Sequence, residues 1–295
     1  MKALITGIEG AIGSHLSEYL AREHPEVTVY GIARRMCDLT DETAVGNVVD
    51  EADPDVVIHL ASLTALRVSF SDSGRYLHEN IIGTNNLLHA LGLSARVLLM
   101  STCEVYGKAL WPVMNEAHPV APMSPYAVSK AAQEMLATMY ASVYGREVVI
   151  ARGFNWINPR REDLFSSAWA RQIARIERGE ARMLEHGNLD SARTLADVRD
   201  VVRMIWLLAT NGIPGEIYNL GTPVETPIRT VLAKLIERAA VPIETKQSPG
   251  LLRPVDLVSQ VPDTKKFESL GWSGPRYTLD DSLDYLMGYW RAHAG

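Results

Sequence analysis

Short apolar runs alternate with helical patterns through the first half of the chain. Lys2-Ala3-Leu4-Ile5-Thr6 reads as a strand, and a glycine segment from Gly7 to Gly13 follows it. The next helix places Ile12, Leu16, Tyr19 and Leu20 on one face. It must end before Pro25, because the residue preceding a proline is pushed out of the helical region. Residues 27–32, 56–61, 96–100 and 148–151 read as further strands of the buried type. Between the middle two, a helix is predicted near residues 80–91, with Thr84, Leu87, Leu88 and Leu91 at helical spacing. Ser124-Pro125 opens another helix: serine suits the N-cap, and proline suits the first helical position, where its missing N–H costs nothing. Continuous apolar strands separated by helices predict an α/β fold, a Rossmann-type doubly wound parallel sheet covered on both faces.

After Pro159 the rhythm changes. Helical patterns follow at residues 164–178, 198–209, 228–239 and 279–290, with a strand-like run at 216–220. The expected organisation is a main domain over residues 1–155 and a smaller C-terminal α/β lobe over 156–295, with segments near 195–225 returning to the main domain. No internal repeat or low-complexity linker interrupts it.

Composition narrows the function classes. A chain of 295 residues, 47% of them hydrophobic, can bury a substantial core. No run of about 18 apolar residues suggests a membrane span. The first residues lack the basic and apolar regions of a signal peptide, so none is expected. Two cysteines, Cys37 and Cys103, lack metal-site or disulfide-framework spacing. The expectation is a reducing cytoplasm and no metal. A net charge of −6 argues against nucleic acid as a partner. It leaves room for small phosphate ligands, which a few local donors can hold.

Gly7-x-x-Gly10-x-x-Gly13 lies between the first strand and the first helix. Glycines let the backbone turn tightly and approach a pyrophosphate, whose charge meets the helix N-terminus. Residues 1–155 therefore read as an NAD(P)-binding domain. About 20 residues further on, where a carboxylate would hold the ribose 2′-hydroxyl of NAD, stand Ala33, Arg34 and Arg35, and the first acid is Asp38. Arginine forks can hold a 2′-phosphate that a carboxylate would repel. NADP(H) is therefore favoured, with NAD(H) as the alternative.

Tyr126-Ala-Val-Ser-Lys130 places a phenol and an ammonium four residues apart on one helix face. A free phenol, with a pKa of about 10, is a poor base at neutral pH. A nearby cation favours the phenolate, so the tyrosine can exchange a proton with an alcohol while hydride moves at carbon. Ser101-Thr102 ends a buried strand, and the Thr102 hydroxyl could hold the substrate oxygen.

Together these positions resemble the extended short-chain dehydrogenases/reductases of the NAD-dependent epimerase/dehydratase family. The resemblance rests on the glycine loop, His59-Leu60-Ala61, Asn80 in Asn-Ile-Ile-Gly-Thr, Thr102 before Val105-Tyr106-Gly107, and Ser124-Pro125-Tyr126 through Lys130. It implies Thr102, Tyr126 and Lys130 as the catalytic set, a nucleotide-diphosphate sugar as substrate, and a homodimer. Cofactor contacts are expected at Gly7, Gly10, Ala11, Ile12, Gly13, Arg34, Asp38, Leu39, Leu60, Ala61, Tyr126 and Lys130.

The second half is similar to the family members acting on GDP-mannose derivatives, through Arg152-Gly-Phe-Asn155, residues 171–174, 187–190 and 197–201, and Leu252-Arg253-Pro254. By that resemblance Asn155, Arg193 and Arg253 would lie at the diphosphate, and Asp256 at the ribose. Within the group the similarity is strongest to the GDP-4-keto-6-deoxy-D-mannose reductases, which deliver hydride to C4. Glu104 stands where the dehydratases keep a catalytic glutamate, so a sugar-nucleotide 4,6-dehydratase or a 4-epimerase remains the rival reading. A non-catalytic NADP-binding regulator is the alternative of a different class. The chain also departs from the pattern. Trp156-Ile-Asn158-Pro159 replaces histidine–x–glycine–proline, Arg160-Arg161 follows, and Thr194 stands where an acid is usual. The two arginines either compensate electrostatically or are simply solvated.

Other residues invite blander readings. Cys103 reads as a small buried hydrophobe, and His59 as a packed structural histidine. Arg171, Arg175 and Arg178 form a basic stripe expected on a solvated helix face.

Overall fold

The computed structural model describes residues 1–93, 95–251 and 260–293. Its centre is a six-stranded sheet, all parallel, formed by β1 (Lys2–Thr6), β2 (Thr28–Ile32), β3 (Val56–His59), β4 (Arg96–Thr102), β5 (Val148–Gly153) and β6 (Ile217–Leu220). The spatial order is β6-β5-β4-β3-β1-β2. Strand order therefore reverses between β1 and β3, and in open α/β sheets ligands bind at such a switch point, beyond the carboxyl ends of the strands.

Side-chain alternation builds two cores. Ala3, Ile5, Val56, Ile58, Leu98, Met100, Val149 and Ala151 face one side, against Leu16 and Leu20 of α1 (Ala11–Glu23) and Val201, Ile205 and Leu208 of a later helix, Val198–Asn211. Leu4, Val57, Val97, Leu99, Val148 and Ile150 face the other. They meet α2 (Glu42–Ala52), α3 (Gly83–Ala90) and α4 (Pro125–Tyr144). Both faces are covered, so the strands are apolar on both sides rather than alternating. Each fully buried leucine or isoleucine here contributes about 1.5–3 kcal/mol.

The segment after residue 195 supplies the helix Val198–Asn211 as a cover and β6 as an edge strand paired to β5. A separate core, made of residues from Ile157 onward, joins Phe165–Glu177, Ile228–Glu237 and Leu279–His293 through Trp169, Ile173, Val231, Leu235, Leu283 and Trp290.

The elements differ from the pattern in several places. The run 56–61 stops pairing at His59, because Leu60 and Ala61 turn toward the glycine loop, where both their N–H groups donate to Thr6. The helix expected over 80–91 is preceded by a helical turn at Ser73–Leu77 and a wide turn at His78–Ile82, and it ends at Ala90. The wide turn centres on Asn80. Its carbonyl accepts from Thr84 and Gln133 side chains, and its own side chain bonds Leu63 and Ser129. Side chains thus claim backbone groups that a regular helix would use, and wide turns of this kind are frequent at functional sites. The amphipathic helix α2 is absent from the expectation, since its apolar positions, Val45, Val49 and Ala52, form only a narrow stripe. Two short sheets in the second half, Met183–His186 with Glu244–Gln247 and Ala192–Thr194 with Glu225–Pro227, were equally illegible at three to four residues per strand.

Candidate active site

The glycine loop turns because three positions have no room for a side chain or require an unusual backbone. Gly7 has φ +72°. A Cβ at Gly13 would collide with the Gly7 carbonyl and lie 2.7 Å from Ile8 Cα. The loop delivers the backbone to the amino end of α1, which has no side-chain cap, so its free N–H groups face the cavity. Gly7, Gly10, Ala11, Ile12 and Gly13 all line a cleft of about 310 Å³ at the carboxyl ends of the strands. A second cavity of about 340 Å³ shares Gly7, Gly10, Leu60 and Ser62 with it and continues to Arg34, Asp38, Leu39 and Ala61. The two form one trough across the switch point, with the glycine-loop backbone at its middle and Arg34, among Glu9, Asp38 and Glu79, at one end. A dinucleotide fits this arrangement.

The far end of the second cavity holds a surprise for two expected contacts. Asp38 accepts from both the backbone N–H and the hydroxyl of Thr40, so its carboxylate closes a local turn. Arg34 forks onto Glu79 at 2.6 and 2.9 Å, and Arg35 pairs with Glu9.

At the other end, β4 delivers Thr102 and α4 delivers Tyr126 and Lys130. Ser124 caps α4 by accepting from Ala127 N–H at 3.1 Å, and Pro125 follows in the first turn. Tyr126 is buried, and Thr102 lines the same cleft beside it, close enough to act on its hydroxyl. Burial holds the Tyr126 hydroxyl well above the ordinary phenol range; Thr102 and the Arg161 cation oppose this, while Cys103 and Glu104 add to it. Lys130 is buried too, and its ammonium donates to the Met100 carbonyl at 2.7 Å. Burial pulls it down to about 7, against the charge of Glu134 one turn along α4. Glu134 is itself gripped by the Arg152 guanidinium at 2.7 Å and bonded by Ser101. His59 is fully enclosed between Thr6 and Thr84, and burial with the Lys130 charge presses it down to about 3. It stays a neutral structural link beneath the site.

Glu104 and Asn155 line the cleft. Among the described residues the Asn155 amide nitrogen is buried without a hydrogen-bond partner, a donor left open for a ligand. Arg193 also lines the cleft and donates to the Ala192 carbonyl. Arg253 and Asp256 lie outside the described residues. Thr194 is buried and does not line the cleft, whose acids are Glu104 and Asp163.

The departures around Pro159 resolve into separate tasks. Trp156 lies over Gly153, where a Cβ would come within 2.5 Å of its ring. Asn158 donates to the Ala11 carbonyl at 3.1 Å, tying this loop to the start of α1. Arg160 turns outward to Glu18. Arg161 turns inward, forked by Asp163 at 2.6 and 2.7 Å, and lines the cleft within electrostatic reach of Tyr126. Of the two arginines the sequence left open between compensation and solvation, Arg161 therefore enters the site and Arg160 does not, and Asp163 is a site residue that sequence reasoning did not single out. Cys103 is buried, with its thiol donating to Gln260. Arg171, Arg175 and Arg178 make exposed ion pairs, as a solvated face would. No cluster of metal-ligating side chains occurs among the described residues, and no described helix is long and apolar enough to cross a membrane.

Comparison with known proteins agrees with this geometry. The chain is 35% identical over 300 residues to the GDP-6-deoxy-D-mannose reductase of Pseudomonas aeruginosa, covering 99% of this chain and 97% of the relative. It is 31% identical to a GDP-mannose 4,6-dehydratase of Sinorhizobium fredii, with 97% of each covered. A solved structure of RMD from Pseudomonas aeruginosa complexed with NADPH superimposes with a TM-score of 0.91 at 32% identity, covering 99% of both chains. The model of the NAD dependent epimerase/dehydratase family matches residues 3–221, and the chain belongs to that family.

Proposed function

We propose that this chain is an NADP(H)-dependent reductase of a nucleotide-diphosphate sugar, acting on the C4 ketone of a GDP-4-keto-6-deoxyhexose. The observation that carries the reading is the buried Tyr126, which shares with Thr102 and Lys130 a cleft continuous with the glycine-loop cavity. The full-length similarity to a GDP-6-deoxy-D-mannose reductase supports it.

Gly7, Gly10, Ala11, Ile12 and Gly13 would cradle the pyrophosphate on backbone N–H groups. Leu60, Ala61 and Leu39 would wall the adenosine half. Arg34 is the cation available for a 2′-phosphate. The nicotinamide, when bound, supplies the hydride. Thr102 holds the substrate carbonyl oxygen, and Tyr126 donates its proton to that oxygen as the alcohol forms. A buried phenol held above its usual range is protonated at neutral pH, which suits an acid. Lys130 and Arg161 offset the negative charge left on Tyr126. Asn155 and Arg193 would hold the diphosphate, with Arg253 and Asp256 completing the nucleotide end. The lobe beyond residue 155 would be the substrate-binding part. The working protein is proposed to be a cytoplasmic homodimer.

Glu104 in the cleft wall favours one second reading, a 4,6-dehydratase, in which it would exchange the sugar-ring protons. One experiment separates the two. A reductase given GDP-4-keto-6-deoxymannose consumes NADPH stoichiometrically, and the absorbance of reduced nicotinamide falls. A dehydratase given GDP-mannose forms the 4-keto sugar with no net change in cofactor. Unchanged absorbance with the keto sugar would refute the reductase.

A further inference from the structure

Every arginine at the ribose end of the trough is already engaged by a carboxylate. Arg34 reaches Glu79 through Nη1 at 2.6 Å and Nη2 at 2.9 Å. Arg75, from the turn Ser73–Leu77, adds its Nε at 2.7 Å to the same carboxylate. Arg35 is spent on Glu9. Arg34, Glu79 and Glu9 all line the cavity.

The partners are not equally free to move. The Glu79 side chain is 20% exposed, whereas that of Arg34 is 59% exposed. Glu79 also sits beside Asn80, which is buried and bonded to Leu63 and Ser129. The carboxylate is therefore fixed by its backbone, and the arginines are the mobile members. Arg34 and Arg75 share Glu79, Asp72 pairs with Arg75 and Asp38 lies within electrostatic reach of Arg34, so the charge of both arginines is already offset at the place where a 2′-phosphate would bring about two negative charges.

We propose that Glu79 sets the cofactor preference of this chain: it clamps Arg34 and Arg75, so that a ribose 2′-phosphate must draw Arg34 off the clamp, while a 2′-hydroxyl leaves it intact. Glu79 thus lowers the affinity for the phosphorylated cofactor and keeps the unphosphorylated one competitive. This rests on the reading that Arg34 meets the 2′-phosphate of NADP(H).

The test is direct binding of NADPH and NADH, followed by nicotinamide fluorescence, to the wild-type chain, Glu79→Gln, Arg34→Ala and the double variant. No sugar substrate is needed. Glu79→Gln is expected to lower the NADPH dissociation constant by about three- to fivefold, the scale of one exposed ion pair, and to leave that of NADH unchanged. The gain should shrink in the Arg34→Ala background, since the two side chains act through one contact, and at high salt. An unchanged or raised NADPH constant in Glu79→Gln would overturn the proposal, as would equal changes for both cofactors. The wild-type ratio reports separately on the cofactor reading: a wild-type preference for NADH would refute that reading, while the Glu79→Gln difference still decides the role of Glu79.

Discussion

Arg161 lines the same cleft as Tyr126, within electrostatic reach of its hydroxyl, and is held there by the fork of Asp163. The ammonium of Lys130, one turn along the helix from Tyr126, is meanwhile occupied by the Met100 carbonyl. Tyr126, the proposed proton donor, thus has Arg161 acting on it from the loop that departs from the family pattern, while Lys130 on its own helix is turned to a backbone carbonyl.

Arg161→Gln should move the pH profile. Arg161 and Thr102 lower the Tyr126 pKa, and burial and Glu104 raise it, so losing the cation lets it rise further. Ketone reduction needs the protonated phenol, so the alkaline fall in kcat should shift upward. Alcohol oxidation needs the phenolate and should become slower at neutral pH. A profile identical to wild type in both directions would mean that the charge of Arg161 does not reach the reacting group.

Tyr126→Phe keeps the ring that fills the cleft wall and removes the proton. Turnover should fall by about 10²- to 10⁴-fold, the usual worth of a positioned general acid, with a far smaller change in KM for the sugar nucleotide. Steady-state kinetics at saturating NADPH would show it. Turnover near the wild-type level would refute the assignment of Tyr126 as the acid.

Lys130 carries a stability signature. Its folded-state pKa is about 7, below the ordinary lysine value of 10.5, because burial penalises the ammonium. The unfolded chain therefore binds more protons between about pH 7 and 10.5, and this group's contribution makes stability rise with pH across that window. Below pH 7 the penalty is felt in full. Lys130→Met should gain stability relative to wild type at pH 6, offset in part by the lost bond to Met100, and that gain should diminish by pH 9. Denaturant midpoints at the two pH values measure it; a gain that grew with pH would contradict the sign.

Glu134→Gln should be costly at any neutral pH. The Arg152–Glu134 pair is nearly sealed from solvent, and the guanidinium also packs on the Tyr106 ring. Removing one charge strands the other, which costs about 3–5 kcal/mol. A thermal or urea unfolding series would detect it, and a loss under about 1 kcal/mol would show that the site relaxes to let water in.

Much of this architecture was legible along the chain because its causes are local. Strand β1, the glycine loop and α1 follow from contiguous residues, as does the Ser124-Pro125 start of α4, and the i, i+4 spacing alone sets Tyr126 and Lys130 on one face. The contact between Thr102 and Tyr126 depends on β4 and α4 meeting across 24 residues, which the motif resemblance anticipated and spacing could not. Other relationships had no local signature. Asp38 turned to Thr40 and Arg34 to Glu79, because a side chain of that length takes the nearest partner in space, and Glu79 is 45 residues away. Arg160 and Arg161 are neighbours of the same type with opposite fates. The sequence by itself determined the sheet, the loop and the shared helix face of Tyr126 and Lys130, since backbone propensity and periodicity act over a few residues. Only the tertiary structure decided which arginine entered the cleft and which carboxylate claimed the others, because charge pairing depends on distance in space.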